Sequence, residues 1–279
     1  MNVLSIQSSV VYGHVGNAAA VLPLQRLGHE VWAVPTVSLS NHQAYDSCRG
    51  RPYSPAEVRD LIEGVGERGA FANCAAVLSG YLGVAATGQV VLEAVASIKA
   101  ANREALYCCD PVMGDEATGL FVAADIPDFF RERALPHADI VLPNAFELAT
   151  LAELPADSPE TARAAAQALR RRGVGLVVAT GLPCEGGIEV LADGPTGVWR
   201  VRTPQIDVPT YGAGDAFAAL FLGNYLSTRD VARALERAVA SVYGLLEATR
   251  AAGAFDLQLV AAQEEFVAPS HHFPVERLA

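Results

Sequence analysis

Short apolar runs alternate along the chain with longer stretches whose apolar residues recur at helical spacing, a pattern that predicts an α/β sheet built from crossover units. Val3 to Gln7 predicts the first strand, and an Ala/Leu-rich stretch through Leu27 predicts the helix after it. Further strands are predicted at Val31 to Val37, Ala75 to Leu78, Leu106 to Cys109, Asp139 to Leu142 and Leu176 to Thr180. Ser54-Pro55-Ala56-Glu57 has the form of a capping box with proline at the first helical position, opening a helix that ends near Gly69. Other helices are predicted from about Thr87 to Ala101 and, capped by Asp157-Ser158-Pro159-Glu160, through Arg172. The period changes at Ile188. Ile188 to Ala192, the turn Asp193-Gly194-Pro195-Thr196-Gly197, and Val198 to Val201 predict a β-hairpin on an antiparallel edge. Val231, Leu235, Val239, Val242, Leu245 and Leu246 then mark an amphipathic helix, and Phe255 to Ala262 predicts a last one. The fold expectation is a mostly parallel central sheet flanked by helices on both faces. With no linker, repeat or low-complexity tract, residues 1–279 are read as a single domain.

Thr210-Tyr211-Gly212-Ala213-Gly214-Asp215 stands between an extended segment and a run of helix formers through Leu226. Small residues at a helix start let backbone N–H groups approach an anion, and the helix dipole adds positive potential there. Asp215 has two readings. It is either an acid favoured by the dipole with no chemistry, or a carboxylate beside a bound anion that accepts a proton from a substrate hydroxyl. In the second reading the dipole is expected to hold Asp215 ionised as a weak base, which phosphoryl transfer tolerates.

Other polar residues gather at strand ends, the ligand side of open α/β sheets. Ser8 and Ser9 follow the first strand, either as turn residues or as ligand contacts. The segment from Ser38 to Pro52, with Ser40-Asn41-His42-Gln43, is long for a connection, and long ordered loops often bind. Tyr81, in Ser79-Gly80-Tyr81-Leu82-Gly83, is either a core aromatic or a ring face for a flat ligand. Asp110 and Asp115, in Asp110-Pro111-Val112-Met113-Gly114-Asp115, either bracket a hydrated Mg²⁺ or form a solvated turn. Glu147 is a further acid at a strand end, inside the first turn of a short helix.

Composition narrows the choices. A chain of 279 residues with 51% hydrophobic and 18% charged residues suits a compact enzyme and not a disordered segment. The formal charge of −11 disfavours nucleic acid and anionic membranes as partners. It also means that a phosphorylated ligand needs metal ions or helix N-termini to bind. The one lysine, Lys99, would have to serve any Schiff-base chemistry, and it lies in a polar helix end. Five cysteines show no metal spacing, and Cys108-Cys109 reads as two buried thiols on opposite faces of a strand. His271-His272 reads as exposed. No signal peptide or membrane span is expected, so the protein should be soluble and cytoplasmic. Neither a dinucleotide glycine fingerprint nor a P-loop is present, which argues against a Rossmann oxidoreductase.

Together these stretches resemble the pyridoxal kinases of the ribokinase-like superfamily, and among them the PdxY-type branch. The resemblance is carried by Ile6-Gln7-Ser8, Tyr12-Gly13-His14, Gly16-Asn17, Ser40-Asn41-His42, Leu78-Ser79-Gly80-Tyr81-Leu82-Gly83, Cys109-Asp110-Pro111-Val112-Met113-Gly114-Asp115, Pro143-Asn144, Gly212-Ala213-Gly214-Asp215 and Leu257-Gln258-Leu259-Val260. It implies a ribokinase-like fold, a homodimer, and phosphorylation of the 5′-hydroxyl of pyridoxal by ATP with Mg²⁺. By the same resemblance Asp215 would face that hydroxyl, and Gly212, Ala213 and Gly214 would form the anion hole. Ser8, Tyr81, His42 and Gln43 would line the pyridoxal pocket. Asp110 and Glu147 would lie near the ATP phosphates and Mg²⁺, with Asp115 as a further acid. Leu142, Thr180 and Thr203-Pro204-Gln205-Ile206 would fall among the nucleotide contacts. Many relatives have threonine where this chain has Gln43, a difference that bears on the preferred vitamer. Two alternatives stand beside this reading: a kinase of another small alcohol such as a hydroxymethylpyrimidine, and a pyridoxal-binding protein without turnover.

Overall fold

The computed structural model describes residues 1–209 and 211–279; Thr210, the first residue of the predicted anion turn, lies outside the described residues. In chain order the first half contains β1 (Asn2–Val10), α1 (Asn17–Arg26), β2 (Glu30–Leu39), β3 (Gly50–Pro52), α2 (Pro55–Gly66), β4 (Cys74–Ser79), α3 (Ala85–Ala101) and β5 (Leu106–Cys109). A small hairpin of β6 (Gly114–Asp115) and β7 (Gly119–Leu120) follows, then α4 (Ile126–Phe129), β8 (Ile140–Val141), α5 (Ala145–Ala152) and α6 (Pro159–Arg171). The last part holds β9 (Leu176–Cys184), β10 (Gly187–Gly194), β11 (Gly197–Thr203), α7 (Ala213–Thr228), α8 (Val231–Ala251) and β12 (Val275–Leu278).

Among the described residues ten strands form one sheet, ordered β12-β11-β10-β9-β8-β5-β4-β1-β2-β3. The central pairings from β9 to β2 are parallel. Antiparallel strands close both edges, β3 on one side and the β10-β11-β12 meander on the other. The predicted hairpin is therefore present, and the sheet is mostly parallel as expected. The order reverses at β1, whose neighbours are β2 and β4, so the crevice of an open α/β sheet lies at the carboxyl ends of β1 and β4.

Two cores lie on opposite faces. One packs α2, α3, α5 and α6 through Val58, Ile98, Leu151 and Leu169. The other packs α1, α7 and α8 through Leu24, Phe221 and Leu235. Strand alternation divides neighbours between them: Cys108 joins the second core and Cys109 the first, as the sequence suggests. The capping boxes at Ser54/Glu57 and Ser158/Thr161 are formed, each satisfying N–H groups that the first helical turn cannot pair.

Two expectations are corrected, and one strand is added. Strand β1 runs to Val10 rather than stopping at Gln7, so Ser8 lies within it, at an irregularity where the pairing to β2 skips from Gln7↔Pro35 to Ser9↔Ser38. Phe255 to Ala262 is a series of turns and not a helix. Its first part is tied to α8, through Gln258 N–H to Thr249 Oγ1 (3.1 Å) and, just before it, Ala254 N–H to the Thr249 carbonyl (3.1 Å), and only its end makes a helix-type bond, Ala262 N–H to the Gln258 carbonyl (2.9 Å). The strand β12, too short to show a period, joins the edge by pairing Val275 to Leu278 with Val198 to Val201.

A buried polar network fixes the start of α1. Ser5 Oγ donates to Asn17 Oδ1 (2.7 Å), Gln7 Nε2 donates to Ser5 Oγ (2.9 Å), and Asn17 Nδ2 donates to the carbonyls of Gln7 and Val34 (3.2 Å each). Asn17 thus ties α1 to β1 and β2. Asn17→Ala should destabilise the fold by about 1–3 kcal/mol, because it leaves buried groups without partners. A denaturant midpoint that does not move would show that water replaces the amide.

Candidate active site

The head of α7 is built by a close approach of two loops. Gly212 caps the helix in the left-handed region (φ 81°), and a Cβ there would lie 1.9 Å from the carbonyl oxygen of His14. Only glycine fits. Gly16, also at positive φ (56°), packs against Ser8 so closely that a Cβ would fall 2.2 Å from the Ser8 carbonyl oxygen. The Gly16 N–H then donates to the Asp215 carboxylate, which also takes its own N–H. Around Gly214 the opposite holds: a Cβ there would meet no atom within 4 Å, so space lies open at the second residue of the helix. No side chain among the described residues caps α7.

Asp215 is half-buried, and its carboxyl is pushed up to about 6 by burial, against the two N–H bonds that pull it down. This corrects the expectation of an aspartate held as a weak base by the helix dipole. Desolvation outweighs the local dipoles and makes Asp215 a stronger base than an ordinary aspartate.

Two more acids complete the cluster. Asp110 follows β5, where its N–H bonds the Ser79 carbonyl (2.9 Å), and Glu147 occupies the first turn of α5; both are about 95% buried. Glu147 closes a capping box with Asn144, accepting the Asn144 N–H on Oε2 (2.9 Å), and accepts the Met113 N–H on Oε1 (3.0 Å). With Asn144 Nδ2 on the Gly114 carbonyl (2.8 Å), it clamps the Asp110–Gly114 loop to the helix. Burial pushes Glu147 up to about 8 despite these N–H bonds, with Asp215 adding to the rise. Asp110 is raised well above the carboxylate range by burial, then by the charges of Glu147 and Asp215.

The remaining sequence-predicted residues divide. His42 is buried and reaches the anion turn, its ring stacked on Tyr211 with centroids 4.7 Å apart. Ser8 is buried against Gly16. Tyr81 is half-buried at the end of β4, where its carbonyl accepts from Thr36 Oγ1 (2.6 Å), and burial raises its hydroxyl. Thr180 bridges to Asn144 and donates its N–H to the Pro143 carbonyl (2.9 Å), close to the clamp. Leu142 has its side chain in the second core. Thr203 ends β11, Pro204 and Gln205 are exposed, and Ile206 is buried. Gln43 is exposed, unlike His42 beside it. Asp115 turns to its own hairpin, accepting the Thr118 N–H (2.7 Å) and Oγ1 (2.8 Å) on Oδ1. No cluster of three acids, histidines or cysteines with metal-binding geometry occurs among the described residues.

Sequence reasoning missed Tyr45, Phe255 and Asp256, which close around His42. A signal was present, since Phe255-Asp256 directly precedes the motif Leu257-Gln258-Leu259-Val260. It also missed a cavity of about 330 Å³ behind the anion turn, lined by Asp207, Val208, Pro209, Thr249, Arg250 and Phe255 among others.

The sheet order, with the glycine-built turn that precedes Asp215, matches the small-molecule kinases of the ribokinase-like class. The sequence profile of the phosphomethylpyrimidine kinase family matches residues 41–258. The chain is 52% identical to pyridoxal kinase PdxY of Rubrobacter xylanophilus, with 100% of this chain and 98% of that one covered. It is 46% identical to pyridoxal kinase PdxY of Leifsonia xyli, over the full length of both. Among solved structures, the pyridoxal kinase of Leishmania donovani in complex with ADP and pyridoxine superposes with a TM-score of 0.93 at 30% identity, covering 100% of this chain and 99% of that one. The chain belongs to the PdxY-type pyridoxal kinase family.

The raised acids make stability depend on pH. Glu147 binds its proton more tightly in the folded state (about 8) than in the unfolded chain (4.5), and Asp110 behaves likewise. Their favourable share is therefore full below about 4.5 and is lost as pH rises through about 8. Thermal denaturation without ligands should show a lower Tm at pH 8 than at pH 6. Glu147→Gln, which keeps the capping box, should flatten that slope; an unchanged slope would mean the acids are already neutralised by other groups.

Proposed function

We propose that this chain transfers the γ-phosphoryl group of ATP to the 5′-hydroxyl of pyridoxal, giving pyridoxal 5′-phosphate in vitamin B6 salvage. The observation that carries this reading is Asp215, a carboxylate titrating near 6 in the first turn of a helix whose Gly214 leaves open space beside it. The Asp215 carboxylate takes the proton of the substrate hydroxyl as the new O–P bond forms and the bond from the γ-phosphorus to its bridging oxygen breaks, releasing ADP. Backbone N–H groups of Ala213 and Gly214 offset negative charge on the moving group.

Asp110 and Glu147 suit a Mg²⁺ ion. They are buried acids with no countercharge among the described residues, and such an ion needs one or two protein carboxylates besides phosphate oxygens and water. When bound, Mg²⁺ would screen the phosphate charge during transfer. Asp115, engaged by Thr118, is left out of this assignment. The cavity behind the anion turn has room for the base of the nucleotide. Residues 1–279 act as a single kinase domain, and we assign the protein to the cytoplasm as a homodimer. Among the described residues no helix is long and apolar enough to cross a membrane.

The experiment is ATP consumption with Mg²⁺ on pyridoxal, pyridoxine, pyridoxamine and hydroxymethylpyrimidine side by side. Pyridoxal should be phosphorylated. Preference for the pyrimidine would move the substrate and keep the chemistry, while pyridoxal binding without turnover would leave a carrier. Asp215→Ala should lower kcat by roughly 10²–10⁴-fold with the fold intact. In the native enzyme kcat/KM should fall about tenfold per pH unit below about 6, as Asp215 takes up its proton, and level off above it. The two glycines should separate: Gly214→Ala should fold normally and lose turnover, whereas Gly212→Ala should disturb the turn itself and lower Tm.

A further inference from the structure

Three loops meet at one carboxylate outside the acid cluster. Asp256 lies after α8, and its Oδ1 accepts from His42 Nε2 at 3.2 Å while Oδ2 accepts the Tyr45 hydroxyl. That bond pushes the Tyr45 hydroxyl up to about 12, which keeps it a donor. On its other side Asp256 rests against Gly13, where a Cβ would stand 2.2 Å from Oδ1. The His42 ring packs on Tyr211 (4.7 Å), Tyr45 (4.8 Å) and Phe255 (5.5 Å), and Tyr211 directly precedes Gly212 of the anion turn. His42 is 6% exposed, yet its Nδ1 is buried without any partner among the described residues.

An ionised carboxylate only accepts, so the hydrogen between His42 and Asp256 sits on Nε2. In the neutral ring Nδ1 then carries a lone pair. A buried acceptor with no donor is costly unless a ligand supplies one. Resting on the kinase reading above, we infer that Asp256 is a positioning residue: it fixes the tautomer and orientation of His42 so that Nδ1 accepts a hydrogen bond from a hydroxyl of the bound vitamer. Tyr211 and Phe255 hold the ring in plane for that contact, next to the turn that binds the phosphoryl group. Asp256 itself touches neither substrate nor nucleotide.

The test varies pyridoxal and ATP separately in steady-state kinetics of the full-length protein. Asp256→Ala should raise KM for pyridoxal roughly tenfold, the worth of one hydrogen bond between neutral groups, and leave KM for ATP within about twofold. Asp256→Asn retains an acceptor oxygen for Nε2–H and should recover most of the loss. In a His42→Ala background, Asp256→Ala should add nothing further. Nitrogen NMR of His42 should show a protonated Nε2 and a bare Nδ1 whose resonance shifts on saturation with pyridoxal. An unshifted Nδ1, an unchanged KM for pyridoxal, or equal rises in both KM values with a lowered Tm would each overturn the inference while leaving the kinase reading in place. A native protein that phosphorylates no vitamer would remove both.

Discussion

The burial of three carboxylates in one cluster is the constraint on which this structure turns. Asp110, Glu147 and Asp215 come from three separate chain segments; the charges of Glu147 and Asp215 raise Asp110, and that of Asp215 raises Glu147. The chain adds a net charge of −11 around them. Among the described residues no lysine, arginine or histidine forms an ion pair with any of the three acids, and the only lysine, Lys99, is paired with Asp139 (2.6 Å). Backbone N–H groups do the work instead: Met113, Gly114 and Asn144 for Glu147, Gly16 and the residue's own N–H for Asp215. Helix starts and glycine loops are the natural source of such groups, since their N–H groups have no partner within the helix.

The polar network under α1 serves the same end. Asn17 has no contact with Asp215, but it anchors the residue after Gly16 to β1 and β2 and so fixes where the Gly16 N–H points. Gly212 then seats α7 against the same loop at His14. Two segments some two hundred positions apart are thereby interlocked, by Gly212 against the His14 carbonyl and by the Gly16 N–H on the Asp215 carboxylate. A Cβ on Gly212 would drive the segments apart, and one on Gly16 would strike Ser8 and displace the N–H that holds Asp215.

Elements governed by local rules were legible in the sequence. The helix starts at Ser54 and Ser158 carry their own caps, the parallel strands show as apolar runs, and the hairpin announces itself by Asp193-Gly194-Pro195-Thr196-Gly197. Asp215 and the small residues before it could be read for the same reason, because helix-start chemistry is written in adjacent residues. Contacts between distant segments could not. The Phe255–Ala262 stretch has helical composition, yet Thr249 and the His42 loop bind it in turns. Likewise the base strength of Asp215 depends on burial among elements that no local pattern specifies. Asp115 looked equivalent to Asp110 by its position in one motif, and only the β6-β7 hairpin shows that it serves Thr118.

Glu147 and Asp110 divide the acid work unequally. Glu147 spends a lone pair of each oxygen on the Met113 and Asn144 N–H groups, so its first duty is to hold the Asp110 loop in place. Nothing comparable offsets the burial of Asp110, for which both neighbouring acids push in the same direction. Asp110 is therefore the acid with most to gain from a bound cation, and Glu147 the one whose loss would move the loop that presents it.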